Sequence, residues 1–444
     1  MINKIRFKLE LLFYYFKRYF LLILAGAAVS SLLLAFSSPI IAFLTKAIPA
    51  NPKVIGIEGL YSANQLPPLI ANQISYGLTQ VSDNNRAEKS PLIDQIEVKN
   101  DQKQYIFHLN SLLWHDGTTF TADDVVRLYK ISNATLSAPD SKTLVVNLDK
   151  EFAPLLSLLS KPLVGPKYSG LGPNQLIAIN YRDGYIKNLT LKNIATGKLT
   201  IYRFYSSQND LITAFKLGEI EQFTTNTFPE SIATWHKVNI TTNIDTNSFY
   251  TALFINTEKF SKKQFRQSLA YATSKPADKN ERCLGPISPN SWAYNPQIKE
   301  YNYNPIRAKE LIAEDDPKNI KLIVTSRDLL PLSEKIKTEW QEILGITVTT
   351  AVGNIPKGDY DMILSYGNLP QDPDQYLFWH STQTTTNITH FNNSRIDKLL
   401  EEGRVTPDPQ ERKRIYFDFQ RFLLEESPAI FISFPTTHTV SRVK

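Results

Sequence analysis

Three blocks in one short stretch decide the fold: Tyr105-Ile-Phe-His-Leu109, Trp114-His-Asp-Gly117 and Phe120-Thr-Ala-Asp-Asp-Val125. The first block has the period of two that is typical of a half-buried β-strand. The second ends in Asp-Gly, a dipeptide that favours turns. In the third, Thr121 precedes two carboxylates, so we expect it to be the N-cap of a helix whose positive end faces those charges. The stretch therefore predicts a strand, a turn and a helix in succession.

The rest of the chain continues this mixture. Leu144–Leu148 and Thr200–Phe204 are further strand candidates, whereas Phe265–Thr273 and Gln410–Glu426 place apolar side chains on one helical face. The sequence shows no repeat of fixed period. Strands and helices alternate irregularly over nearly 400 residues, which indicates an α/β protein of more than one lobe.

The N-terminus has a different character. Residues 19–45 carry no charge, and about 20 apolar residues suffice to cross a bilayer as a helix. Residues 1–45 contribute +4 of the net charge of +6, because five basic residues precede the apolar run and Glu10 is the only acidic one. The positive-inside rule therefore predicts a cytoplasmic tail at 1–18 and a single transmembrane anchor at 19–45. The proline-containing segment 46–53 is the predicted linker, and everything beyond it is expected outside the cell membrane.

A cleaved signal peptide remains the alternative to an anchor, since Ser37, Ser38 and Ala42 resemble a cleavage site. The only cysteine, Cys283, is far from this segment, so we expect no lipid attachment there. The remainder of the chain is nearly neutral and lacks a basic patch with interleaved aromatic residues, which argues against nucleic-acid binding.

The sequence offers no constellation for catalysis or metal binding. It contains no G-x-S-x-G elbow, no phosphate-binding P-loop, no Cys-x-x-Cys and no histidine pair at the spacing of a zinc helix. His115 and Asp116 precede Gly117 in a sequence that favours a turn. The carboxylates of Asp372-Pro-Asp374 are expected to cap a loop instead of acting in acid/base chemistry. We therefore predict a protein that is not an enzyme and has no cofactor, catalytic residue or metal site.

The three opening blocks resemble the signature of the family 5 extracellular solute-binding proteins, the oligopeptide, dipeptide and nickel receptors of ABC importers. Further blocks follow in the family's order and extend the resemblance over about residues 54–435: Gly218-Glu-Ile220, Leu253-Phe-Ile-Asn256, Phe265–Ala272, Gly285-Pro-Ile-Ser-Pro289 with Trp292, Tyr303–Leu311, Tyr360–Leu364, Asp372-Pro-Asp374, Asn387, Asp397 and Pro428.

The resemblance implies a two-lobed periplasmic-binding-protein-like α/β fold of class II, the peptide-binding type, joined by crossover strands. Lobe I is expected at 54–245 with a short C-terminal return at 436–444, and lobe II at 246–435. It also implies that a peptide or similar small solute is closed between the lobes of a monomer. The closed form would then dock on the subunits of a membrane permease that an ATPase drives.

Three departures from the family pattern affect this expectation. Peptide-binding relatives hold the ligand's ammonium group with an aspartate, but Leu369 occupies the corresponding position, which leaves Asp372 as the nearest substitute. The segment 126–141 is shorter than usual, so the subdomain beside lobe I is expected to be small. The sequence ends at Lys444, soon after Phe434-Pro435, where family members generally continue.

By position in the matched blocks, eight residues are predicted to line the cleft: Tyr61, Asn226, Phe249, Trp292, Ser365, Tyr366, Asn368 and Asp372. Packing is the alternative role for each. Trp114–Gly117 is expected to be structural. The predicted function is solute capture for an ABC importer; the alternatives are a transport-incompetent surface sensor or interaction protein of the same fold and, with no nucleophile to support it, a cell-wall peptide hydrolase.

Overall fold

The structure is a computed structural model that describes residues 16–20, 52–62, 66–82, 86–355 and 360–443. Of the predicted tail, anchor and linker at 1–53, only residues 16–20, which are helical, and 52–53 fall within these ranges. The other residues of those three segments lie outside the described residues. Inside the described ranges, no helix is both long enough and apolar enough to cross a membrane.

The described strands are, in chain order, β1 (Lys53–Glu58), β2 (Thr79–Val81), β3 (Ala87–Lys89), β4 (Ile93–Lys99), β5 (Gln104–Leu109), β6 (Ala134–Asp140), β7 (Thr143–Leu148), β8 (Asn174–Arg182), β9 (Tyr185–Asn193), β10 (Leu199–Tyr205), β11 (Gln222–Thr225), β12 (Val238–Ile244), β13 (Phe249–Ile255), β14 (Asn319–Val324), β15 (Thr347–Val352), β16 (Met362–Asn368), β17 (Ala429–Ser433) and β18 (Thr436–Arg442).

The described α-helices are α1 (Pro68–Ile74), α2 (Ala122–Leu128), α3 (Leu155–Leu158), α4 (Gln208–Lys216), α5 (Glu230–Ala233), α6 (Lys263–Ala272), α7 (Pro305–Leu311), α8 (Leu330–Leu344), α9 (Tyr376–Trp379), α10 (Ser394–Val405) and α11 (Pro409–Glu426). Short 3₁₀ turns occupy Pro166–Tyr168 and Arg327–Leu329. Four of these elements, β7, β10, α6 and α11, confirm the strands and helices predicted from the sequence outside the opening stretch.

Two large sheets organise the chain. The first has seven strands in the order β12-β18-β11-β1-β10-β9-β8, accompanied by the sheet β4-β5-β7-β6 and the pair β2-β3; we call this unit lobe I. The second has five strands in the order β15-β14-β16-β13-β17 and forms lobe II. The chain leaves lobe I after β12 and returns as β18, which pairs with both β11 and β12. The two crossings lie side by side, because the Asp245 amide donates to the Pro435 carbonyl at 2.9 Å.

Apolar residues cover both faces of the lobe II sheet, and β13 shows why. Leu253 and Ile255 contribute to a buried cluster on one side, while Ala252 and Phe254 contribute to a second cluster on the other. A central strand with helices on both sides is apolar at consecutive positions instead of alternating. The aromatic residues of α11 complete the second cluster, which fixes that helix against the sheet.

The opening stretch folds as predicted. β5 alternates between half-buried and buried residues, and α2 begins directly after Thr121. One carboxylate oxygen of Asp124 accepts from the Thr121 amide at 3.0 Å and from the Trp114 indole at 3.1 Å. Trp114 also packs edge-on against Phe120, with ring centroids 5.6 Å apart. Strand, turn and helix are therefore joined by one buried aromatic pair and one carboxylate.

Candidate functional site

A polar opening between the lobes lies where parallel strands of both sheets end. β1 runs parallel to β10 and β11 in lobe I, and β14 runs parallel to β16 in lobe II. Ligands of open α/β sheets bind outside the carboxyl ends of such strands. A cavity of about 500 Å³ lies there, with walls from lobe I (Glu58, Gln208, Thr224, Thr225, Asn226, Thr227) and from lobe II (Ser326, Arg327, Asp328, Tyr366).

Hydroxyl and amide groups dominate this interlobe cavity. Some of them are engaged locally: the Gln208 amide donates to the Thr227 carbonyl at 3.3 Å, and the Thr227 amide donates to the Thr225 hydroxyl at the same distance. The side-chain amide of Asn226 has no such partner within the described part of the chain, so it can both donate to and accept from a solute. The cavity can therefore form several hydrogen bonds with a hydrophilic solute.

The lobe II wall centres on Asp328. The hydroxyl groups of Ser326 and Tyr366 both donate to its carboxylate, which orients the carboxylate and the tyrosine ring together. Burial, reinforced by the hydrogen bond and charge of Asp328, raises the pKa of the Tyr366 hydroxyl, so it remains a donor throughout the physiological range. The lobe II wall thus presents a fixed acceptor beside one aromatic ring.

Glu58, the last residue of β1, faces this wall from lobe I. Burial raises the pKa of its carboxyl group; a hydrogen bond from the Gln208 backbone opposes the shift, and the charge of Asp328 adds to it. Both carboxylates line the same cavity, Glu58 from lobe I and Asp328 from lobe II. Each lobe therefore supplies one carboxylate to the same space.

The eight predicted cleft residues fall into several environments. Asn226 and Tyr366 line the interlobe cavity. Phe249 and Asn368 lie opposite each other in the β13–β16 pair, and both side chains are exposed. Ser365 is buried and accepts a hydrogen bond from the Thr325 hydroxyl at 2.8 Å.

The other three lie away from this cavity. Tyr61 packs edge-on against Phe204 in lobe I, with centroids 5.4 Å apart. Trp292 and Asp372 line a separate interlobe cavity of about 250 Å³, together with Arg412. The eight positions thus do not form one continuous site.

Asp372, the expected substitute for the ammonium-binding aspartate that Leu369 replaces, is already engaged in an ion pair. Its two carboxylate oxygens accept from the Arg412 guanidinium at 2.8 and 2.5 Å. The side chains of Asp372 and Arg412 are only 12% and 5% exposed, so the pair is nearly withdrawn from solvent. Leu369 is also buried, inside the aromatic cluster of lobe II. The position expected to bind an ammonium group is therefore part of the core, and its neighbour is part of an ion pair.

The lobes also touch at a distance from the polar cavity. The Ala153 amide of lobe I donates to the Arg404 carbonyl of lobe II at 2.8 Å. The Arg404 guanidinium lies 5.6 Å from the Phe152 ring centroid and 4.0 Å from that of Tyr376, and its Nε donates to Asp374 at 2.8 Å. Arg404 thereby joins the surface of lobe I to the interior of lobe II.

Sequence reasoning missed Glu58, Arg327 and Asp328. A usable signal exists, because each lies at or just beyond the end of a strand, Glu58 in β1 and the other two after β14. A position at the end of a strand indicates a ligand site only if the strand is known to run parallel to its neighbours. Strand direction depends on pairing partners that lie far along the chain, so the sequence alone does not reveal it. The described residues contain no group of three or more metal-ligating side chains.

Comparison with known proteins gives the class. The family described as bacterial extracellular solute-binding proteins, family 5 Middle, matches residues 87–388. That match covers more than half of the chain, and the protein belongs to this family. It is 22% identical to the oligopeptide-binding protein AppA of Bacillus subtilis over 463 residues, which span 86% of this chain and 84% of AppA.

Solved structures agree on the fold. NikZ from Campylobacter jejuni, in complex with Ni(L-His), superposes with a TM-score of 0.73 at 20% identity, over 89% of this chain and 94% of NikZ. The ABC transporter substrate-binding protein CtaP from Listeria monocytogenes gives a TM-score of 0.75 at 18% identity, with the same coverage of both chains. The architecture is therefore the two-lobed α/β fold of periplasmic binding proteins.

Proposed function

We propose that the protein captures a small hydrophilic solute in the interlobe cavity and delivers it to the permease of an ABC importer. The observation that supports this proposal most strongly is the position of the cavity at the carboxyl ends of parallel strands in both sheets. Polar groups from each lobe line it. A solute bound there contacts both lobes at once, so its binding energy favours their closure.

The proposal also includes a membrane anchor and an orientation of the protein in the membrane. We propose that residues 19–45 anchor a monomeric receptor to the cell membrane, with the described lobes outside. Basic residues before the apolar run and the family's extracellular character support this orientation. The solute class is a peptide or a compound of similar size and polarity, in keeping with the relatives whose names refer to oligopeptides and to a histidine complex of nickel.

Capture can be tested by thermal unfolding of the full-length protein against panels of short peptides, amino acids, amines, sugars and metal chelates. A solute at a hundred times its Kd stabilises the folded state by about 2.7 kcal/mol if it binds only that state. We expect at least one panel to raise the melting temperature. If every panel leaves the melting curve unmoved, solute capture is wrong.

A matched pair of substitutions locates the binding. Asn226→Trp fills the interlobe cavity from lobe I, whereas Asn239→Trp makes the same change on the exposed edge strand β12. We expect the first variant to lose the stabilisation by solute and the second to retain it. Equal retention by both variants would mean that the solute binds elsewhere.

A further inference from the structure

The end of the lobe I sheet that lies opposite the interlobe cavity carries a cluster of lysines. The parallel strands β1, β10 and β11 begin at this end, and β9 ends there. β12 also begins there, because the Val443 amide that follows β18 donates to the Lys237 carbonyl at 3.0 Å. Four exposed lysines share this end of the sheet, which we call the basic edge: Lys53, Lys192, Lys198 and Lys237.

The basic edge has no acidic partners of its own. Among the residues that the structure describes, no carboxylate oxygen lies within 4.0 Å of any of these four ammonium groups. Exposed lysines elsewhere do have such partners, as Lys262 does with Asp315 at 2.6 Å. Residues 1–45 account for +4 of the net charge of +6, so the rest of the chain is nearly neutral. The four lysines therefore form a local excess of positive charge at one end of lobe I.

Exposed apolar side chains lie among these lysines. Ile194, in the loop from β9 to β10, is 57% exposed, and Val443, beside Lys237, is 54% exposed. Trp235 is 39% exposed, and its carbonyl accepts from the Val238 amide at the start of β12. The other four tryptophans of the chain are buried or half-buried. Lysines together with an exposed tryptophan and aliphatic side chains are typical of surfaces that contact lipid headgroups.

The position of this edge in the chain places it beside the membrane. β1 begins at Lys53, and the proposed anchor ends at residue 45. An extended chain spans at most about 3.6 Å per residue, so the intervening segment holds the basic edge within roughly 30 Å of the bilayer. Glu58, at the other end of β1, lines the interlobe cavity, about 17 Å further on. A contact through the basic edge therefore leaves the cavity on the side away from the lipid.

We infer that the basic edge, with Ile194, Trp235 and Val443, is a contact surface for an anionic lipid bilayer. The inference rests on the membrane anchor of the proposed function and adds to it the face on which lobe I lies against the membrane. The ammonium groups pair with lipid phosphates, and each lysine near an anionic surface raises the contact equilibrium about fivefold. The tether keeps the effective concentration of lipid at this edge high, so these individually weak contacts act together.

The test uses full-length protein inserted in nanodiscs that hold one copy each and contain no permease. The discs consist of phosphatidylglycerol or of phosphatidylcholine, in each case with bromine on the acyl chains next to the headgroup, which quenches tryptophan fluorescence on contact. The difference between the unaltered protein and Trp235→Phe isolates the emission of Trp235. We expect Trp235 to be quenched in phosphatidylglycerol and not in phosphatidylcholine. At 1 M salt the Debye length falls to about 3 Å, and the quenching should disappear.

A matched pair of triple variants tests the lysines. Combining Lys192→Gln, Lys198→Gln and Lys237→Gln should lower the contact equilibrium about 100-fold and abolish the quenching. The control variant makes the same change in charge at three exposed lysines of lobe II and should keep the quenching: Lys279→Gln, Lys318→Gln and Lys335→Gln. All six side chains are exposed, and circular dichroism verifies that both variants are folded.

The outcomes separate the contact surface from the anchor. Insertion of the protein without quenching of Trp235, equal quenching in both lipids, or quenching that survives in the triple variant of the basic edge overturns the membrane contact while the anchor stands. Failure of the full-length protein to insert into any nanodisc overturns the anchor and the contact together. Solute capture is unaffected by either result, because the thermal unfolding panels test it separately.

Discussion

Replacing Asp372 with alanine separates a structural role from a binding role at a position that the sequence assigns to the cleft. Asp372 holds the Arg412 guanidinium through two hydrogen bonds, and Arg412 also donates to the Gly403 carbonyl at 2.7 Å. Its guanidinium carbon lies 5.5 Å from the centroid of the Trp292 ring. The substitution leaves this cation nearly buried, with its counter-charge removed.

The expected loss follows from these contacts. A hydrogen bond to a charged group contributes about 1.5–3 kcal/mol, and two are lost here. Breaking a buried ion pair by removing one partner costs about 3–5 kcal/mol, in agreement with that sum. Because the Arg412 side chain is 5% exposed, water cannot replace the carboxylate without rearrangement of the lobe. We therefore expect Asp372→Ala to lower the free energy of unfolding by about 3–5 kcal/mol.

Urea unfolding followed by tryptophan fluorescence measures this loss, provided that the denaturant slope is unchanged. Asp418→Ala is the matched control: Asp418 pairs with Arg421 at the same 2.8 Å, but both side chains are more than half exposed. Exposed pairs contribute about 0–1 kcal/mol. Adding Arg412→Met to Asp372→Ala should restore part of the stability, since it removes the unpaired charge.

The reasoning is refuted if Asp372→Ala costs no more than Asp418→Ala. It is refuted equally if the variant keeps its stability but loses solute affinity, because Asp372 would then be a binding residue. Intact affinity with reduced stability is the expected combination.

Three further predictions address the fold, the lobe contact and pH. Trp114→Ala should cost about 3–5 kcal/mol in urea unfolding and leave solute affinity nearly unchanged, since it empties a buried aromatic site; the reverse pattern would contradict a structural role. Arg404→Ala removes the contact with Phe152 and should increase the radius of gyration of the solute-free protein in X-ray scattering, whereas the exposed Arg421→Ala should not. Burial and repulsion by Arg282 lower the pKa of Lys275 to about 7, so the unfolded state binds more protons and stability rises with pH from about 7 to 10.5. Lys275→Met should abolish that rise and stabilise the protein at pH 7; an unchanged pH profile would show that Lys275 titrates normally.

Local signals made much of the fold predictable. The turn and helix start around Trp114–Val125 depend on Thr121, two carboxylates and Gly117, whose φ of +85° suits glycine. These requirements act within a few residues, so the sequence alone identifies them. Apolar periodicity likewise located α6 and α11, whose buried faces pack on lobe II.

The site was less predictable because it depends on pairing between distant residues. Glu58 and Asp328 are 270 positions apart, and only the direction of β1 and β14 brings them to the same cavity. Asp372 lies in the Asp372-Pro-Asp374 block that resembles the family pattern, and this suggested a place in the cleft. Its actual role comes from the ion pair with Arg412 on α11, a contact that the sequence does not reveal. The N-terminal anchor stays a prediction, since it lies almost entirely outside the described residues.

The most direct measurement of the central claim is a crystal structure of the protein grown with the best-binding solute from the panels. The account predicts density for that solute between the lobes, with contacts to Glu58 from one side and to Asp328 and Tyr366 from the other. Density for the solute outside this cavity, or contacts with only one lobe, would contradict capture by lobe closure.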